Sequence, residues 1–372
     1  MAGNKLIRGR RRVLALFLST AAWGGSTHAE DTVLQLYGLV DAGIASMHVS
    51  AGTTSGTRSG LLSGGQSDSL WGLRVSESLG DGWRANAGLE SGFDLVNGSS
   101  NTSGQLFDYG SWVGLANDSL GELRLGRQAT VGASFGSELE VAPWRDMGMG
   151  ALFKASDNYQ RDNLVNVYTP QWGPWQAGLS YAFDAAGPDG PSPQGRGHAW
   201  SAGLKYDSEP WLAVLTWDRL HPGLGSAASG RQPMAWQAGM SYRADGWKMS
   251  IAWSRQRDGY VGQDAGGIEG LGPLGFVQGG RADAWLVGTE MPLGASSALL
   301  LQASWSRPNW HWDNGQRARA IQLYTVGWRQ DLSSRTSIYA FVGRMRHGSL
   351  DEGFTPEATH TTRVAVGLTQ QF

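Results

Sequence analysis

The chain has 372 residues, with 30 Lys and Arg against 32 Asp and Glu, 55 Gly, 18 Trp and no Cys. Without cysteine there is neither a disulfide framework nor a thiolate metal site, and the charge balance offers no basic face for nucleic acid. Mean hydropathy is −0.30, and no stretch after the N-terminus reaches 18 apolar residues, which excludes helical membrane spans.

The N-terminus reads as a leader. Lys5, Arg8, Arg10, Arg11 and Arg12 form a basic region, and Val13 to Ala22 an apolar one too short to span a bilayer as a helix. Thr27-His28-Ala29 supplies small residues before a cut between Ala29 and Glu30. Residues 1–29 are therefore expected to be a signal peptide and 30–372 a single domain. Removing five basic residues leaves 25 Lys and Arg against 32 Asp and Glu, a net charge of −7.

Sixteen strand-like stretches follow: 33–48, 68–79, 82–93, 108–117, 120–127, 161–169, 174–183, 198–208, 210–220, 233–244, 246–257, 281–292, 297–307, 317–330, 334–346 and 360–372. Connections alternate. Short turns fall at Gly80-Asp81-Gly82, Asn117-Asp118, Gly173-Pro174, Asp245-Gly246 and Asp331-Leu332-Ser333; longer loops fall at 49–67, 94–107, 128–160, 184–197, 221–232, 258–280, 308–316 and 347–359. An even strand count with this sorting predicts an all-β, sixteen-stranded antiparallel transmembrane β-barrel, with short turns on the periplasmic side and long loops outside. Such a barrel needs only one apolar face per strand, so it is polar overall and still sits in lipid. That places the chain in the outer membrane.

Alternation assigns the faces. Leu34, Leu36, Val40 and Ile44 face lipid; Gln35, Tyr37 and Asp41 face in. Trp71, Leu73 and Val75 face out, opposite Leu70, Gly72 and Arg74. Trp83, Ala85, Ala87, Leu89 and Phe93 face out, opposite Arg84, Asn86 and Glu90. Leu123 and Leu125 face out, opposite Glu122 and Arg124. Charges on the inner side predict a wet interior. In the last strand Val364, Val366, Leu368 and Phe372 share one face and Arg363, Ala365, Gly367, Thr369 and Gln371 the other. Trp71, Trp83, Trp112, Trp217, Trp253, Trp285 and Trp305 are expected to form interfacial girdles. The aromatic stretch Trp305 to Trp312 is either an exposed tip or a subunit contact.

Several segments resemble the Gram-negative general porins of β-proteobacterial type. They are Leu36-Tyr37-Gly38-Leu39-Val40-Asp41-Ala42-Gly43, Ser69 to Gly82, Trp112-Val113-Gly114-Leu115, Gly121 to Gln128, Arg161 to Pro170 and Leu332 to Tyr339. They run in order along the whole mature chain. The resemblance implies passive diffusion of small hydrophilic solutes and ions through a homotrimer, with a third loop, here 128–160, folded inward to narrow the pore. It also implies delivery to the barrel-assembly machinery through the terminal Phe372. Loop acids, here Glu138, Glu140, Asp146 and Asp157, would then face a ladder of wall arginines, with Arg74, Arg84, Arg124, Arg127 and Arg161 as candidates. Asp41 and Tyr109 are further lumen candidates. The family usually carries Arg where Leu70 and Tyr109 stand, so two rungs are missing and strong anion preference is not expected. For Arg74, Arg84 and Arg124 the alternative to pore lining is structural pairing with Glu90, Glu122 or Asp41; for Arg127 and Arg161 it is anchoring of the third loop.

Other readings have less support. Trp144 and Phe153 could stack a sugar or aromatic solute in a substrate-selective channel for sugars or carboxylates, or simply pin the loop. A plugged adhesive barrel is a further alternative. The six histidines after the leader show neither metal spacing nor a triad, so no enzyme, metal or cofactor is expected.

Overall fold

The computed structural model describes residues 32–156, 160–183, 197–222, 230–261, 276–349, 353–354 and 359–372. The expected leader, its expected cleavage site and Asp157 lie outside the described residues.

The strands are β1 Val33–Ala51, β2 Thr54–Ser63, β3 Leu70–Gly80, β4 Trp83–Gly92, β5 Gly110–Asn117, β6 Gly121–Ala129, β7 Gln160–Tyr168, β8 Trp175–Ala182 and β9 His198–Ser208. They continue as β10 Trp211–His221, β11 Met234–Ala244, β12 Trp247–Arg257, β13 Arg281–Pro292, β14 Ser297–Pro308, β15 Ile321–Asp331 and β16 Thr336–Arg346. After a two-stranded ladder, β17 Gly348–Ser349 with β18 Gly353–Phe354, comes β19 Thr359–Gln371. Neighbours in sequence pair antiparallel, and β1 pairs with β19 from Leu39↔Gln371 to Ala51↔Thr359, which closes the barrel. Closure leaves no edge for the membrane to solvate.

β2 and β3 are two halves of one barrel strand. Both use the same edge of β1: Ala42–Ala51 pairs with β2, and Val33–Leu39 with β3. The barrel therefore has sixteen staves. The expected 49–67 loop is corrected here. Most of it is strand, because β1 runs on to Ala51 and turns back through Gly52, whose φ is +57°. The sequence of β2 is rich in Thr, Ser and Gly and nearly all of it is exposed, so it carries no apolar alternation to announce it. Likewise β15 begins at Ile321 rather than 317; Arg317 makes an isolated bridge to His311. The short turns have the geometry their residues demand. Asp245 and Gly246 both take positive φ, +54° and +80°, as a two-residue hairpin of this twist requires.

Outside, Leu36, Ile44, Val113, Leu123, Ile251, Val287, Val326, Val364 and Val366 are exposed and form an apolar band. Inside, small and polar side chains such as Ser180, Ser201, Thr216, Gln237, Ser254, Gln302 and Thr325 are buried. The last strand divides as expected, with Leu368 and Phe372 exposed and Arg363, Ala365 and Thr369 buried. Phe372 closes the seam over Gly38, its amide donating to the Gly38 carbonyl at 3.0 Å.

Candidate functional site

The segment between β6 and β7 lies on the face of the wall opposite the exposed apolar band. It opens with helix α1, Val131–Gly136, capped by Thr130, whose hydroxyl accepts from the Ala133 amide at 3.2 Å. The next two amides are used by the wall: Val131 N donates to Ser180 Oγ at 2.8 Å and Gly132 N to Ser201 Oγ at 2.7 Å. The short hydroxyls of β8 and β9 thus satisfy helix-start donors that would otherwise be orphaned.

Further along, apolar side chains of the segment enter gaps left by wall glycines. A methyl group on Gly178 would sit 2.9 Å from Val131, one on Gly203 2.7 Å from Phe135, and one on Gly288 3.0 Å from Val141. Leu139 fills the gap at Gly239 in the same way, Trp144 that at Gly327 and Met147 that at Gly343. Side chain and pit alternate from β8 round to β16. Trp144 also stacks on Phe341, with ring centroids 4.9 Å apart. Val131, Phe135, Leu139, Trp144, Met147 and Phe153 are all buried. Burying a side chain of this size stabilises by about 1.5–3 kcal/mol each. Packing, rather than charge alone, therefore fixes the path.

Polar links reinforce it. Lys205 Nζ meets Glu138 Oε1 at 2.7 Å. Lys248 Nζ donates to the Glu138 carbonyl at 2.9 Å and also to that of Glu140. Glu140 Oε1 accepts from the Met149 amide at 2.5 Å, closing a loop within the segment. At the far end Arg363 donates to the Arg145 carbonyl at 2.7 Å and to Asp146 Oδ2 at 2.8 Å.

That end meets the barrel seam at Asp41, which is fully buried. Its carboxylate accepts from the amides of Gly65, Gln66 and Ser67 at 2.9, 3.0 and 3.0 Å, from Tyr339 Oη at 2.7 Å and from Thr369 Oγ1 at 2.9 Å. Residues 64–69 interrupt the β2–β3 stave to bring those three amides inward. Arg145 N donates in turn to the Gly65 carbonyl at 3.1 Å.

The inner faces of β1 and β3–β6 lie beyond the apolar part of the segment, with Tyr168 of β7 at their margin, its ring centroid 6.1 Å from that of Phe135. They border a cavity of about 500 Å³ lined by Tyr37, Arg74, Asn86, Glu90, Trp112, Glu122, Arg124 and Tyr168. Arg124 pairs with Glu122 at 2.8 Å and stacks over Trp112 at 4.4 Å. Arg74 lies 4.7 Å over the Tyr37 ring, whose hydroxyl donates to Glu90 at 2.5 Å. The cavity wall thus carries two cations and two carboxylates side by side.

A family model described as Gram-negative porin matches residues 14–349. The chain belongs to the Gram-negative porins. It is 29% identical to an outer membrane porin protein of Bordetella pertussis, over 95% of this chain and 97% of that one. It is 27% identical to outer membrane porin protein 32 of Delftia acidovorans, over 87% and 86%. Among solved structures, an anion-selective porin from Comamonas acidovorans superposes with a TM-score of 0.70 at 24% identity, covering 92% of this chain and all of that one. The outer-membrane channel DcaP of Acinetobacter baumannii superposes at 0.65 with 13% identity, over 94% and 99%. The chain is an outer-membrane porin, a passive diffusion channel.

The expected porin site residues divide. Arg74 and Arg124 reach the cavity. Arg84 shares their face but lies at the short-turn rim, paired with Asp118 at 2.8 Å. Arg127 is buried, bonded to the Asp108 carbonyl at 2.5 Å and to Asp162 at 2.8 Å. Arg161 is buried and donates to the Val261 carbonyl at 2.8 Å. Both hold connections to the wall. Tyr109 links loops, donating to Asp68 at 2.8 Å and accepting from Asn101 at 3.0 Å. Burial, and then the Asp68 charge, hold its phenol well above the usual range. Glu138, Glu140 and Asp146 are each engaged within the segment or by the wall.

One girdle assignment is corrected: Trp112 faces inward, beneath Arg124 and against Gly88. Val113 and Leu115 are the exposed residues of β5, so alternation alone puts Trp112 on the opposite face. The glycine pits were missed, because a glycine in a strand reads equally well as a turn or bulge signal.

Proposed function

We propose that the 130–156 segment forms the pore constriction and that solutes pass between it and the inner faces of β1 and β3–β6. The observation that carries this is the run of apolar side chains from Val131 to Met147 seated in wall glycines, which holds the segment to one side of the lumen. Selection is then by size, with a small charge bias. The bias is small because Arg124 is paired with Glu122, Glu138 with Lys205 and Asp146 with Arg363. Neighbouring opposite charges cancel at the distance of a passing ion. The wall arginines act as pore lining only at Arg74 and Arg124; Arg127 and Arg161 act as anchors. No covalent chemistry belongs to this function. Burial of Trp144 and Phe153 removes the stacking surface that a sugar-selective reading would use.

We further infer that residues 1–29 direct export, that Phe372 presents the last strand to the assembly machinery, and that three copies associate. A solved relative, OmpT of Vibrio cholerae, is described in a trimer form. The test is the reversal potential of single channels across a KCl gradient. Values near zero fit compensated charges. A large potential of anion-selective sign would show that Arg74 and Arg124 act as free cations.

A further inference from the structure

The outer face of β12–β14 carries an unusual ladder. Ile251 and Val287 are exposed and fix the lipid side. Two residues further toward the long loops the register aligns Trp253, Trp285 and Trp305 in one rung; the next rung is Arg255, Asp283 and Arg307; beyond it Arg257 pairs with Arg281. Trp285 and Trp305 stack with planes 17° apart. Arg255 lies 5.3 Å over Trp253 and Arg307 5.7 Å over Trp285. Arg255 and Arg281 share Asp283 at 2.7 and 3.4 Å, and Arg257 approaches Asp258 at 3.8 Å. Among the described residues of this patch three arginines thus share two carboxylates, and the fourth, Arg307, lies over an indole. Toward the short turns the same face holds an apolar hollow of about 810 Å³, lined among others by Met249, Ile251, Val287, Leu301, Tyr324 and Val326.

Acyl-scale hollow, indole rung and arginine rung follow the order of an outer-leaflet lipid, from chains to headgroup. Indoles sit at the interface, and guanidinium groups grip phosphate bidentately. Arg257 and Arg307 stand two strands and two residues apart in the register, roughly 12 Å. A single phosphate cannot span that distance, whereas the two ends of a bis-phosphorylated disaccharide can. We propose that this patch binds a bis-phosphorylated, multiply acylated glycolipid of the outer leaflet. The headgroup phosphates sit on Arg307 and on the Arg257–Arg281 pair, and an acyl chain lies in the hollow.

The test titrates refolded, lipid-free mature porin with bis-phosphorylated lipid A, monophosphoryl lipid A and phosphatidylglycerol, and counts bound lipid by native mass spectrometry. The Arg257→Gln/Arg307→Gln variant leaves the Arg255–Asp283 pair intact, and heat-modifiable gel mobility reports its fold. The expected result is preference for the bis-phosphorylated lipid, weakened about tenfold in the variant and sensitive to salt. Trp285→Leu should weaken binding without changing its salt dependence. Equal binding by variant and wild type, or equal binding of phosphatidylglycerol and lipid A, would overturn the proposal.

Discussion

Asp41 shows how one side chain can hold distant parts of a barrel. Its carboxylate gathers three amides from the 64–69 inlet and hydroxyls from β16 and β19. Replacing Asp41 by Ala strips partners from buried donors, each costing about 1–3 kcal/mol. The expected outcome is a barrel that loses heat-resistant gel mobility at lower temperature, with the seam affected first; unchanged melting would refute this role. Gly327 makes a steric test. A side chain there occupies the place of the Trp144 indole, and overpacking of this kind costs about 1–3 kcal/mol. Gly327→Val should expel Trp144, shift the fluorescence of that indole to the red relative to a Trp144→Phe control, and leave barrel formation intact. His347 gives a pH prediction. Burial, then His360, Arg319 and Arg346, lower the pKa of its imidazole below the usual 6.5. The folded state binds the proton less readily than the unfolded one, so this group's stabilisation is present above about pH 6.5 and is lost as pH falls below it. A histidine titration by NMR should place His347 below 6.5; a midpoint above that would contradict the assignment.

At the scale of elements, what was legible followed from periodicity. Strands with one lipid face and one wet face, such as β13 and β19, declare themselves because their apolar residues recur every second position. β2 does not, because Thr54–Ser63 is exposed on both faces and its pairing with β1 is a backbone matter. The loop acids were legible as charges but not as partners. Whether Glu138 meets Lys205 or a passing ion depends on which strand faces it across 67 residues of chain. Arg127 and Arg161 lay near strand ends, where face assignment fails; they turned toward Asp162 and Val261. The segment's tip makes a prediction at this scale. Arg363→Gln removes a buried guanidinium from Asp146 and from the Arg145 carbonyl, bonds worth about 1.5–3 kcal/mol each when charge-assisted. Single-channel recordings should then show added open-state noise and a reversal potential shifted toward cations. Traces as quiet as wild type would mean that the glycine pits alone hold the tip.

For the molecule as a whole, the net charge of −7 on residues 30–372 says little about selectivity, because the cavity wall sets Arg74 and Arg124 beside Glu90 and Glu122. The outer band and the inner polar face instead describe a wall that is apolar to lipid and wet within, and the proposed constriction would narrow it from one side. The segment leaves and re-enters the barrel at paired positions, Ala129 opposite Gln160. It can therefore be replaced by a short turn without breaking a stave. The most direct test is single-channel conductance of the mature porin beside a variant in which residues 131–156 are replaced by a short Gly-Ser turn. A constriction built by this segment predicts a folded barrel with larger conductance and entry of larger solutes. A folded variant with the wild-type conductance would contradict it.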